Sequence, residues 1–304
     1  VQLDLSGVAL QPVPVPVEVY VDEAKSDPAC PWAYVGYLLL PLPKKAAALE
    51  RLRKPRAEVG YHREVHFHEC QGLQSPKTAI ASAWLHDFLS DPSKTFHFHL
   101  CGLNTERLAA AAFGPAPQAD AIYNRFFRSG LQFAIKRCFG LPARVSRVVH
   151  DRSHLADHPY FDWHAIHRIR SQTPDIEFET RTVEFLDSDH TAPAHPDPAG
   201  AEMIQLADVV LGAMRQCHQL TSEDKGKREL ARVVHPLMQR ITVPASANNP
   251  NSRYHHYRRV SVGFFPRGRL SARELADDEG LRASCFYLDE PLRFEHRFQL
   301  VLDP

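Results

Sequence analysis

A run of Val and Tyr that ends abruptly in two carboxylates, Val17-Glu18-Val19-Tyr20-Val21-Asp22-Glu23, limits what this chain can become more than any other stretch. Such residues favour a pleated, buried strand, whereas Asp is depleted in strands and costly to desolvate unless paired or bound to a cation. The acidic pair therefore belongs at a strand tip, on the edge of a core. Successive strand residues face opposite ways, so Asp22 and Glu23 do different jobs.

Three later stretches look built to meet that tip: Glu64 in Arg63-Glu64-Val65-His66-Phe67, Asp151 after Val145 to His150, and Asp208 within the apolar run Ile204 to Gly212. If the strands ending in Asp22 and Asp151 are parallel neighbours, their carboxylates lie side by side. They then repel, and one pKa rises unless a cation neutralises the pair. With Glu64 and Asp208 the ligand set is all oxygen, which suits Mg²⁺ or Mn²⁺ rather than zinc. Two such ions roughly 3.5–4 Å apart activate a water and steady the leaving oxygen in phosphodiester cleavage, with no nucleophilic side chain. Any one of these positions also reads as ordinary turn chemistry, and Gln205, Asp208, Gly212 and Arg215 share a stripe that a solvated helix face would show. The reading rests on the set.

In chain order, residues 1–13 and the prolines up to Pro16 read as an extended tether. A second buried strand is expected from Ala33 to Leu40, and a helix from Lys44 to Glu58 that Pro55 bends or ends. Glu64 to Glu69 reads as a strand or extended loop. A helix capped by Ser75-Pro76 follows, then a strand over Thr95 to Leu100 and a long helix from Ala119 to Phe139 closed by Gly140. Val145 to His150 is the next strand. After it come a helix over about His158 to Ser171, a strand from Glu177 to Phe185, an acidic loop and a helix from Gly200 to Gln219. This order predicts an α/β domain over residues 14–243, a mixed central sheet flanked by helices. Residues 244–304 read as a linker and a C-terminal extension packing on the core, with a last strand from Phe294 to Leu302.

The 36 basic and 36 acidic residues cancel, so no global field draws a polyanion and any nucleic-acid contact must be a local patch. The cysteines are scattered without close Cys-x-x-Cys pairs and read as reduced core residues. No signal-peptide order and no membrane-spanning run is evident, which points to a cytoplasmic location.

Local patches have two candidates. Arg253, Tyr254, Tyr257, Arg258, Arg259, Arg267 and Arg269 form an acid-free run able to track phosphates and stack bases. Arg125, Arg128, Lys136 and Arg137 on the long helix read instead as a solvated face. The histidine pairs His66/His68 and His97/His99 each share a strand face, an arrangement that could hold zinc. His66 or His150 could alternatively handle a proton beside the carboxylates.

Tyr20-Val21-Asp22-Glu23, Glu64-Val65-His66-Phe67, Val148-Val149-His150-Asp151, Asp187-Ser188 and Gln205-Leu206-Ala207-Asp208-Val209-Val210-Leu211-Gly212 resemble the successive motifs of the domain of unknown function 3800 (DUF3800) family. That family is regarded as ribonuclease H-like and is associated with mobile elements and defence. The resemblance covers residues 17–220 and implies that Asp22, Glu64, Asp151 and Asp208 are catalytic metal ligands. Glu23, His66, Asp187 and Gln205, beside them in these motifs, read as candidate auxiliaries. Two positions depart from the family pattern: Ala24-Lys25 stands where a small residue and glycine are usual, and His66 where a lysine is usual.

The expected function is therefore a nuclease that hydrolyses RNA, DNA or a hybrid by a water activated on two carboxylate-bound Mg²⁺ or Mn²⁺ ions, with a defence-complex protein as a further partner. A catalytically silent nucleic-acid-binding or defence-complex subunit of the same fold is one alternative; Lys25 filling the site by a salt bridge would favour it. A zinc hydrolase using the His-x-His pairs is the other.

Overall fold

Alternation along the first strand decides which layer each neighbour joins. The computed structural model of the protein describes residues 14–27, 30–91, 93–108, 119–242, 259–266 and 292–294. In strand β1 (Pro16–Ala24), Val17, Val19 and Val21 face one layer of helices while Tyr20 faces the other. β1 pairs antiparallel with β2 (Trp32–Pro41), which pairs antiparallel with β3 (His97–Asn104). On its other side β1 pairs in parallel with β4 (Ala143–Asp151), whose outer edge takes β5 (Ile176–Phe178) and β6 (Glu184–Leu186), also in parallel. A seventh strand, β7 (Val260–Phe265), runs parallel to β3. The order β5-β4-β1-β2-β3-β7 makes a mixed α/β sheet, consistent with a ribonuclease H-like fold.

One face carries α1 (Lys45–Val59), α2 (Pro76–Ser90), α5 (Pro198–Gln219) and α6 (Lys225–Ile241) over a core that includes Tyr20, Leu38, Phe98 and Val149. The opposite face carries α3 (Ala119–Phe139) and α4 (Phe161–Gln172) over Val19, Val21, Tyr37 and Val148. α5 is buried almost all round, and only Asp208 and Arg215 of its second half are partly open. The stripe that looked like a solvated face is thus interior: Gln205 is 1% exposed and Gly212 is roofed by Phe67.

Four expectations need correction. α1 runs through Pro55 to Val59 and ends on Gly60 at φ 68°, because one lost backbone bond does not outweigh burial of Ala48, Leu52 and Arg56 on the core. The strand expected from Glu177 to Phe185 is two short strands, separated where Thr180 Oγ1 donates to the Thr182 carbonyl and Val183 N–H turns to Asp162. α6 was not anticipated; it contains Pro236, yet Leu230, Val234, Met238 and Ile241 give it a stripe that packs against α5 and α2. The segment beyond 243, expected to lie on the core, supplies a strand of the sheet itself, and Leu292 and Phe294 also reach the core.

The tether, the linker from 244 and the strand expected after Phe294 lie outside the described residues. Cys30, Cys70, Cys101, Cys138 and Cys217 are free thiols. Among the described residues no helix is long and apolar enough to cross a membrane.

Candidate metal centre

The parallel pairing of β1 and β4 is in register through Val21 and His150. The next residue on each strand, Asp22 and Asp151, therefore leaves the sheet at the same end. Both point to the face that α5 crosses, and α5 presents Asp208 there. Asp22, Asp151, Asp208, His66 and Lys25 line one cleft of about 460 Å³. Glu64 adjoins it: its Oε1 accepts from Ser188 Oγ at 2.7 Å and lies 4.0 Å from His66 Nε2. Ser188 also bonds Asp151, so one hydroxyl sits between two of the expected ligands.

Gln205 is the hub beneath this arrangement. Its Oε1 accepts from Val65 N–H at 3.0 Å and from the Arg56 guanidinium. Its Nε2 donates to the Ser188 carbonyl at 2.6 Å and approaches His190 Nδ1 at 2.9 Å. One buried amide thereby ties the Glu64 loop and the Ser188 loop to α5, using all its hydrogen-bonding capacity. Asp208 holds the same loop further along, where Oδ2 accepts from Phe67 N–H at 2.7 Å. Gly212 lies one turn later on α5 and makes room for the Phe67 ring.

The electrostatics follow from crowding. Burial pushes the Asp22 carboxyl well above its ordinary pKa, and the charges of Asp208 and Asp151 push it further. Burial raises Asp151 to about 6, with Asp208 adding and His66 opposing. The neighbouring Asp208 carboxylate holds the His66 imidazole up at about 10 against the effect of burial, and His66 Nδ1 lies 2.8 Å from Asp208 Oδ2. His66 is the basic group in contact with Asp208, and Arg152 also lines the cleft. Lys25, by contrast, is 68% exposed and reaches Glu23 at 3.9 Å.

Among the described residues no three His, Cys, Asp or Glu side chains are arranged to hold a metal ion. Asp208 is engaged by His66 and Phe67, and Glu64 by Ser188. The donor chemistry still fits a hard divalent cation, since Asp22, Asp151 and Asp208 line one cleft beside Glu64 and their charges raise one another's pKa. A cation entering there would take over the compensation that His66 provides.

The auxiliaries separate. Glu23 also lines the cleft but is hydrogen-bonded to Tyr123, whose hydroxyl lies 2.8 Å from His150 Nε2. His150 is fully buried among Phe127, Phe161 and Phe185, with Nδ1 2.6 Å from the Asp151 carbonyl, and faces away from the carboxylates. It braces the strand tip and is not placed to move a proton in the cleft. Asp187 is exposed and caps its own loop, accepting from Asp189 N–H; its neighbour Ser188 turns inward instead. His97 and His99 pack under α3 against Phe139 and Phe133, and the His66 and His68 rings meet at 5.0 Å.

No family model and no curated protein matches the chain.

Of the arginine run, Arg253, Tyr254, Tyr257, Arg258, Arg267 and Arg269 fall outside the described residues. Arg259 is a correction: it is 5% exposed, and its guanidinium donates to the carbonyls of Phe88 and Leu89 and faces Asp91 at 3.4 Å. A cation spent on the core cannot hold phosphate. Ser188, Tyr123 and the buried Arg56 are contributors that sequence reasoning missed. The Asp187-Ser188 motif marked the right loop, but without a helical or strand period it could not say which residue turns in.

Proposed function

We propose that the protein is a divalent-metal-dependent nuclease that hydrolyses nucleic-acid phosphodiesters, with the four carboxylates as its metal ligands. One observation carries the reading: Asp22, Asp151 and Asp208, from two parallel strand tips and a buried helix, converge on a single cleft. The motif resemblance to the DUF3800 family points the same way, and the sheet order is compatible with it. Mg²⁺ or Mn²⁺ held there would supply Lewis-acid activation of water and charge neutralisation at the leaving oxygen. The chain's own residues supply the rest. Asp22 and Asp151 fix the floor from rigid strands, and Asp208 approaches from α5. Glu64 is aimed by Ser188 and, through Val65, by Gln205. His66 balances charge at Asp208 and, from the cleft wall, is the group best placed to exchange a proton.

One observation favours a second reading. The close ion pair of His66 with Asp208 neutralises the site from within, as a catalytically silent nucleic-acid-binding subunit would do. Cleavage of labelled single-stranded, duplex and hybrid RNA and DNA with Mg²⁺, Mn²⁺ or EDTA separates the two. The nuclease reading predicts metal-dependent cutting that is lost in Asp22→Asn and in Asp208→Asn. Absence of cutting on every substrate, or equal cutting by both variants, leaves the silent subunit.

A further inference from the structure

A second concave surface lies on the other face of the sheet, between α3 and α4, with a volume of about 1250 Å³. Its lining includes Arg125, Arg128 and Lys136 from α3 and Arg168 from α4, and contains no acidic residue. The cations crowd one another. Burial and the charges of Arg168 and Arg125 lower the pKa of Arg128, and burial with Arg128 and Arg168 lowers that of His164. In a chain whose formal charge is zero, this is a local excess of positive charge on both sides of one groove.

Two aromatic rings stand open on the same surface: Trp163 is 45% exposed and Tyr160 37%. Large rings left in water beside Arg128, Arg168 and Lys136 call for a ligand that is both anionic and flat-faced. Asn124 adds an independent sign. It lines the groove and is only 6% exposed, yet neither its amide nitrogen nor its amide oxygen has a hydrogen-bond partner among the described residues. A buried primary amide with both ends unmet is costly unless something else meets it.

The groove starts near the carboxylates. Tyr123, beside Asn124 on α3, bonds His150, the residue before Asp151, and packs against Phe161 at the start of α4. Further along, Gln132 bonds Thr173, just past the end of α4. The two helices thus run side by side away from the strand tips, and the path from Asn124 to Lys136 is about 18 Å at helical rise. On sequence alone the α3 cations read as a solvated face; α4 across the groove supplies what that reading lacked.

We propose that the α3/α4 groove binds single-stranded nucleic acid, with phosphates on the Arg125, Arg128, Arg168 and Lys136 side chains, bases stacked on Trp163 and Tyr160, and Asn124 bonding a base edge or sugar. A single strand exposes base faces to stacking, whereas a duplex hides them. Delivery of that strand to the Asp22 cleft rests on the nuclease reading above; binding itself does not.

The test is fluorescence anisotropy of labelled single-stranded RNA, single-stranded DNA and duplexes in EDTA, so that no hydrolysis contributes. Binding is read in EDTA and cleavage in a separate assay with metal, so failure of this site and failure of catalysis are told apart. Trp163→Ala weakens single-strand binding about 5- to 150-fold, while Trp163→Phe retains most of it. Arg128→Ala with Arg168→Ala weakens binding and lowers the slope of log affinity against log salt by about 1.4. Trp163 and Arg168 are exposed and Arg128 is half-buried, and an unchanged circular dichroism melt verifies the fold. The proposal is overturned if single strands do not bind, if these variants bind as well as wild type, if duplexes bind as tightly as single strands, or if only anionic vesicles or acidic peptides bind.

Discussion

Gly212→Ala is expected to damage the proposed metal site without touching a carboxylate. A Cβ at this position would lie 2.2 Å from Phe67 Cγ and 2.3 Å from Cδ1. Carbon atoms sit at about 3.5–4.0 Å, so Phe67 must retreat by roughly 1.5 Å. Its own N–H donates to Asp208 Oδ2 at 2.7 Å, and a retreat of that size breaks the bond. The expected cost is about 1–3 kcal/mol for overpacking and about 1.5–3 kcal/mol for the lost charge-assisted bond. Exchanging a helical Gly for Ala returns about 1 kcal/mol, leaving a net loss of roughly 1.5–5 kcal/mol. Urea denaturation measures it in two backgrounds. In the wild type, Gly212→Ala lowers the midpoint; in Phe67→Ala, where the ring is gone, the same substitution is neutral or mildly stabilising. Equal cost in both backgrounds would refute the claim that Gly212 exists to seat Phe67 over Asp208.

Gln205→Leu keeps the volume but strands Val65 N–H and the Arg56 guanidinium; a loss of about 2–4 kcal/mol in denaturant stability is expected, together with weaker divalent-metal affinity as the Glu64 loop loosens. Asp91→Ala removes a carboxylate with a fully buried side chain that accepts from Thr95 and Phe96 N–H and faces Arg51 and Arg259, and leaving Arg259 without its counter-charge is expected to cost about 3–5 kcal/mol in thermal or urea unfolding. Burial holds the pKa of His99 down at about 3. Between that value and about 6.5 the unfolded chain binds a proton that the folded chain refuses, so stability is fully present above about 6.5 and falls with pH below it, by up to about 5 kcal/mol in all. Stability curves from pH 7 to pH 4 for wild type and His99→Phe check this, the variant being the less acid-sensitive.

The strand tips were legible because an apolar run broken by Asp is a local signal that only a sheet edge relieves. Asp22 and Asp151 therefore needed nothing beyond their own segments and one assumption, that β1 and β4 run parallel, which the structure bears out. Asp208 was legible as a charge in an apolar helix, but not the depth of its surroundings, because burial of Gln205 and Gly212 depends on a loop more than a hundred residues upstream. Glu64, Ser188 and Asp187 sit in irregular backbone, where no period says which side chain turns inward. Arg259 misled for a related reason: its acid-free neighbours in sequence gave no hint of Asp91, which is far away along the chain and adjacent in space. The proline signal at Pro55 also failed, since tertiary packing holds it inside a helix, as it does Pro236 in α6.

The carboxylates of β1, β4 and α5 are proposed to act together as one divalent-cation site. Titration of the protein with Mn²⁺, followed by loss of the free-ion electron paramagnetic resonance signal, tests this directly. Wild type is predicted to take up Mn²⁺ in competition with Mg²⁺, and Asp22→Asn, Asp151→Asn and Asp208→Asn are each predicted to abolish or greatly weaken that uptake. Undiminished free Mn²⁺ with the wild type, or uptake that survives all three substitutions, would contradict the account.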